Sequence, residues 1–273
     1  MGGGGSVLFT DVKEFEARLP GTVRLVLTNG APFRARLTWL EVRDLLLVHA
    51  REAMPRVACL SLPANQVCAF FPIGRSSVLV CDGTEIRAGE LVLYRDGGRA
   101  HQRILGSTRW SSVSLATTAL HDIGITLTGR SIAAAPRTIL RIMPTEWRHL
   151  LKSHSEAIRI AETRLPHIDH PEVARALEQE LIWSLVNCLA TAEAISQTAH
   201  IGPSDALTRF ETCLAKHAAE RPSISAICES IQVPERTLRA LCSRVLGMSP
   251  ARYQRLAARA PPDGEIRRTG NEK

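Results

Sequence analysis

The chain has 273 residues, a mass of 29.9 kDa and a formal net charge of +7; at roughly 100–200 residues per domain this predicts two domains, or one with an appendage. Apolar residues make up 45% and charged residues 22%, a globular balance that excludes global disorder, and the lack of any run of about 18 apolar residues excludes a membrane-spanning helix. Seven cysteines, odd in number, widely spaced and without a CxxC pair, argue against a disulfide framework or zinc ribbon and predict small buried hydrophobes in a reducing cytoplasm.

The opening residues have no basic n-region and no apolar h-region, so they do not read as a secretory signal. The run Gly2 to Gly5 makes residues 1–20 a flexible entry segment. Residues 21–116 read as β. Segments 22–28 (TVRLVLT), 33–40 (FRARLTWL), 57–62 and 67–71 alternate or run apolar. Turn signals follow at Asn29-Gly30, Asp82-Gly83, Ala88-Gly89 and Asp96-Gly97-Gly98. Residues 77–94 (SVLVCDGTEIRAGELVLY) give strand, turn, short strand, turn, strand, a rhythm common in cupin-like rolls. The expectation is an α+β chain whose amino-terminal part is a cupin-like antiparallel β-roll.

After about residue 116 the pattern turns helical. Residues 117–129 suit a helix ended by Gly129, Pro144 fits the first turn of a helix running to about Leu165, and Pro171 opens another. Its stripe of Val173, Leu177, Leu181, Ile182, Leu185, Val186 and Leu189 suits a dimer seam or, more often, the packed face of a helical hairpin. Gly202-Pro203-Ser204-Asp205 reads as a linker, with Ser204 or Asp205 as the next N-cap. Residues 21–202 are therefore expected to form a sensing and dimerisation domain, 203–260 a partial DNA-binding domain with one helix-turn-helix, and 261–273 a disordered tail.

Charge is concentrated at the end. From Arg221 onward there are ten Lys/Arg against five Asp/Glu, a basic end that predicts an anionic partner. Residues 221–250 (RPSISAICESIQVPERTLRALCSRVLGMSP) read as two short helices joined by a tight turn. Ser223 can cap the first, and Ile227, Ile231, Val233, Leu238 and Leu241 form the wedge that locks a helix-turn-helix. Glu235, Arg236, Arg239 and Arg244 then fall on the other faces of the second helix, where Arg can take guanine O6/N7 bidentately in the major groove.

Arg236-Thr237-Leu238-Arg239, Leu246-Gly247-Met248-Ser249-Pro250 and Tyr253, at this spacing, resemble the AraC/XylS family of transcriptional regulators. The resemblance implies a sequence-specific DNA-binding regulator with a sensing amino-terminal half. It places Arg236 and Arg239 toward the major groove, and Thr237, Ser243 and Arg244 on phosphates or base edges. This chain departs from the pattern at Gln232, where the turn usually has Gly, at Pro234, where the second helix usually has a Ser cap, and at Ala240, where many members carry Arg. Residues 261–273 (PPDGEIRRTGNEK) show no apolar periodicity, so the family's second helix-turn-helix is read as missing and the chain as a shortened member.

A metal enzyme of the cupin type would need clustered His and carboxylate ligands. The β region offers only His49 and His101, neither with a His two residues away, and His167-x-x-His170 is broken by Pro166 and Pro171. No GxSxG, P-loop or GxGxxG occurs. No catalytic residue, metal ligand or cofactor is therefore assigned. The expected partners are double-stranded DNA, a small-molecule effector and a second copy of the chain in a homodimer, with no membrane. A second reading stays open: a truncated, DNA-binding-defective partner that acts by pairing with an intact relative.

Overall fold

Alternating side chains sort the first 116 residues into strands in the computed structural model, which describes residues 3–95, 97–129, 137–163, 170–197, 205–217 and 220–258. The elements begin with β1 (Gly3–Phe9), α1 (Val12–Glu16), β2 (Thr22–Leu27), β3 (Ala35–Val42), β4 (Leu45–Glu52), β5 (Arg56–Leu62) and β6 (Gln66–Pro72). Short strands β7 (Leu79–Cys81) and β8 (Thr84–Ile86) flank the Asp82-Gly83 turn, and β9 (Glu90–Arg95), β10 (Gly98–Ile104) and β11 (Thr108–Ala116) complete the first part. Then come α2 (Thr117–Thr128), β12 (Arg137–Arg141), α3 (Pro144–Thr163), α4 (Pro171–Thr191) and β13 (Glu193–Gln197). The chain closes with α5 (Asp205–Lys216), α6 (Ile224–Ser230), α7 (Glu235–Val245) and α8 (Pro250–Ala257).

The strands form two antiparallel sheets. One has eight strands in the order β1-β3-β4-β11-β6-β9-β12-β13, the other five in the order β2-β5-β10-β7-β8. Leu25, Leu37, Ala50, Phe70, Leu79 and Trp110 fill the space between them. Buried within it, Arg56 donates to Glu52 and to Gln102 Oε1, and the Trp110 indole donates to Glu52. The other face of the large sheet carries Leu40, Leu47, Phe71 and Val113, which pack under α3 and α4. Central strands are therefore buried on both faces, which explains near-continuous apolar runs such as Leu45–Val48 in β4. The α+β class and the antiparallel roll of the expectation are present.

Two expectations change. The glycine run is not a flexible leader from Gly3 onward: it starts β1, an edge strand registered on β3. A Cβ on Gly5 would lie 2.9 Å from the Trp39 ring, and one on Gly4 would press on Leu40. Absent side chains let the edge strand slide beneath Trp39, and pairing overrides the compositional cue. Next, the part after residue 116 is not purely helical, because β12 and β13 return to the large sheet. At five residues each, they are too short to show a period. The α4 stripe, by contrast, takes the packed-face reading rather than the dimer seam: Leu181, Ile182, Leu185, Val186 and Leu189 are buried in the chain's own core. The helix boundaries at Gly129, Pro144 and Pro171 agree with the sequence, Gly129 ending α2 at φ 67°. Gly2, Asp96, Pro166, His167, the 202–204 linker and the 261–273 tail lie outside the described residues.

Candidate nucleic-acid interface

The segment 221–250 folds as its wedge predicts. Ser223 Oγ accepts the Ala226 N–H at 3.2 Å and starts α6. The helix stops at Ile231, and Gln232 turns the chain at φ 54°, a left-handed conformation that strains a residue with a Cβ. Ile227, Ile231, Val233 and Leu238 are buried and Leu241 partly so. They pack with Leu207, Phe210 and Leu214 of α5. Pro234 begins α7 with no side-chain cap, while Glu235 in the first turn complements the helix dipole.

Only one side of α7 is committed to this core, through Leu238, Cys242 and Val245. At 100° per residue, Arg236, Thr237, Arg239, Ala240, Ser243 and Arg244 span an arc of roughly 160° on the other side, and all six are exposed. Arg239 pairs with Glu235 at 2.5 Å across one turn, both groups being exposed. A pair of this kind contributes only about 0.3–0.5 kcal/mol, so a phosphate or base can displace the carboxylate. The end of α7 also explains the Gly-Met-Ser-Pro run. Gly247 at φ +70° ends the helix, Ser249 Oγ accepts the Arg252 N–H at 3.4 Å, and Pro250 starts α8.

The α5–α8 module sits on the outer face of the five-stranded sheet. Val26 of β2 and Val57 of β5 belong to its apolar core. Arg24 donates to the Ala257 carbonyl at 3.0 Å and Arg252 to the Thr28 carbonyl at 3.4 Å. The Arg103 guanidinium of β10 occupies the space that a Cβ on Gly247 would need, and the Gly83 turn lies against the Arg244 backbone and stem. Arg244 therefore stands where the module meets the sheet, with its head exposed.

Beneath this contact lies a buried polar cluster that sequence reasoning missed. His101 Nε2 donates to Glu211 Oε1 at 3.0 Å, Cys59 Sγ to Glu211 Oε2 at 3.3 Å, and the Tyr253 hydroxyl to Glu211 Oε1 at 2.7 Å. Burial alone pushes His101 down, but its hydrogen bonds with Cys59 and Glu211 outweigh burial and raise it from 6.5 to about 10. Burial pushes Glu211 up, and the His101 contact, with help from Tyr253, brings it below the usual carboxylate range. At neutral pH the two form an imidazolium–carboxylate pair. The sequence did hold a signal: Glu211 interrupts the apolar face of α5 between Leu207 and Leu214. His101 by itself resembled any strand histidine.

No protein-family model matches the chain, and no curated protein matches it. Among solved structures it is similar to the AraC-like transcriptional activator CuxR, with 16% identity, 92% of each chain covered and a TM-score of 0.52. ToxT from Vibrio cholerae aligns over 79% of each chain at 10% identity, with a TM-score of 0.34. The chain thus shares its fold, from the sheets through the helical end, with an AraC-like activator.

Proposed function

We propose that the chain is a transcriptional regulator that binds double-stranded DNA by placing α7 in the major groove. The observation that carries this reading is the exposed polar arc of α7 on a helix whose opposite face is locked against α5 and α6. Arg236 and Arg239 take base edges, and Thr237, Ser243 and Arg244 hold phosphates or neighbouring base edges. Residues 203–260 are the reader, and residues 21–202 sense a small-molecule effector and form the homodimer. The effector acts by shifting how two readers are presented to one duplex. The site of action is the cytoplasm; among the described residues no helix is long and apolar enough to cross a membrane.

One module covers only about 600–1,000 Å² of protein surface on DNA. A monomer should therefore bind weakly and with a steep salt dependence, and a dimer much more tightly. Gel shifts at about 50 and 200 mM salt, on samples whose oligomeric state is fixed by light scattering, test this. The expected result is binding that weakens by orders of magnitude across that range and strengthens on dimerisation. Tight, salt-insensitive binding by a monomer, or no binding to any duplex, would overturn it; the second outcome leaves the DNA-binding-defective partner as the surviving alternative.

A further inference from the structure

The polar cluster under the reader takes no part in contacting DNA, and its composition is that of a metal site. Cys59 on β5 and His101 on β10 are direct cross-strand partners, so their side chains leave the same sheet face together. Glu211 of α5 comes down between them. One donor atom from each of the three lies within 4.8 Å of the others, with Glu211 oxygens 3.0 Å from His101 Nε2 and 3.3 Å from Cys59 Sγ. A tetrahedral zinc site with bonds of about 2.0–2.3 Å keeps its donors roughly 3.3–3.7 Å apart. The Cys59–Glu211 spacing lies at the edge of that range and the His101–Glu211 spacing about 0.3 Å below it.

The surroundings agree. His101 Nδ1 is buried and has no hydrogen-bond partner among the described residues. It faces Asp82 Oδ1 at 3.9 Å. Asp82 is itself held by the Tyr94 hydroxyl at 2.9 Å and the His101 backbone N–H at 2.7 Å. A carboxylate behind the second ring nitrogen is how metal-binding histidines are oriented. Tyr253 holds Glu211 in the same way from the other side. Charge also closes: a divalent cation with one thiolate, one carboxylate and one neutral imidazole is neutral, which limits the cost of burying it.

We propose that Cys59, His101 and Glu211 bind a divalent cation of the zinc class, and that the ion pins the α5–α8 module to the five-stranded sheet. Thiolate and imidazole select zinc over magnesium or calcium, which take oxygen ligands. On binding, the Cys59 thiol and the His101 imidazolium each release one proton to solvent, and Glu211 binds as it stands. Two ligands lie on the sheet and one on the reader, so the ion restricts how the reader can move. That consequence rests on the DNA-binding reading; the site itself does not.

The test uses the full chain, freed of metal, titrated with cobalt(II) as an optical probe and then with zinc. The expected result is one equivalent bound, with a thiolate-to-cobalt charge-transfer band that zinc displaces. Cys59→Ser should lose the band, His101→Gln and Glu211→Gln should weaken binding at least about tenfold, and Cys228→Ser should leave it unchanged, with circular dichroism confirming the fold of each. A readout on the unaltered protein stands independently: zinc should slow alkylation of Cys59, mapped by peptide mass. No charge-transfer band at saturating cobalt, a band that survives Cys59→Ser, or equal alkylation with and without zinc would overturn the site. A protein that holds cobalt through Cys59 yet binds no duplex would sink the DNA reading alone, and one that binds duplex but no metal would sink the site alone.

Discussion

Arg236, Arg239 and Arg244 share the exposed arc of α7 but differ in surroundings. If Arg236 and Arg239 read bases, each change to Ala should cost on the order of 1–3 kcal/mol at a preferred site and relax specificity at one position. Arg244, near the end of the helix, should behave as a phosphate contact. Its loss should weaken all duplexes alike and lower the salt slope by about one. Fluorescence anisotropy on specific and random duplexes separates these; losses within about 0.5 kcal/mol for all three would mark a merely solvated face. A different residue-scale effect governs stability. Ser111 Oγ lies 3.2 Å from His49 Nδ1 and 2.5 Å from His154 Nε2. Burial, with Arg51 and Arg109 nearby, lowers His49 to about 4, and burial with His49 nearby lowers His154 to about 3. Both values fall below the unfolded value of about 6.5, so the unfolded chain takes up protons first. The contribution of these two histidines should be whole above pH 6.5 and fall below it, by up to about 1.4 kcal/mol per pH unit per histidine, until the folded values are reached. Urea midpoints at pH 7.5, 6 and 5 check this: the decline should be shallower in His154→Gln, and a flat profile in the unaltered protein would contradict it.

Among the elements, the stretch from Gly247 to Pro250 ties local chemistry to tertiary contact. Gly247 is needed twice, for its φ of +70° and for the space its missing Cβ leaves to Arg103. Gly247→Ala should destabilise by about 1–2 kcal/mol from the left-handed backbone alone, and more from displacing Arg103. Arg103→Ala should relieve the second part, so thermal melts of the two single changes and the double change should be non-additive; additive losses would show that Arg103 does not press on this glycine. This element entered the sequence reading only as part of the family-like run; β2, β5, β6 and the β7–β9 rhythm were legible in their own right, because alternation and the Asp82-Gly83 or Ala88-Gly89 turns coincide there. The position of Gln232 in the turn was legible too. What escaped were elements whose identity comes from their neighbours: β1, which is a strand because β3 and Trp39 accept a run without side chains, and β12 and β13, which are too short to show a period.

At the scale of the whole molecule, the α5–α8 module is held against the sheet by contacts that no local pattern announces. Val26 and Val57 look like ordinary strand residues, and Cys59 and Glu211 are 152 positions apart. The candidate reading face was legible because helix periodicity separates Leu238, Cys242 and Val245 from the arginines within 11 residues; the docking surface was not, because it is assembled from β2, β5, β10, α5 and α8. That α7 reads DNA sequence is tested most directly by selection of bound duplexes from a randomised library. Unaltered protein should enrich a defined motif over successive rounds, and Arg236→Ala and Arg239→Ala should each lose preference at one position of it. No enriched motif from a folded dimer, or the same motif from a protein carrying both changes, would contradict it.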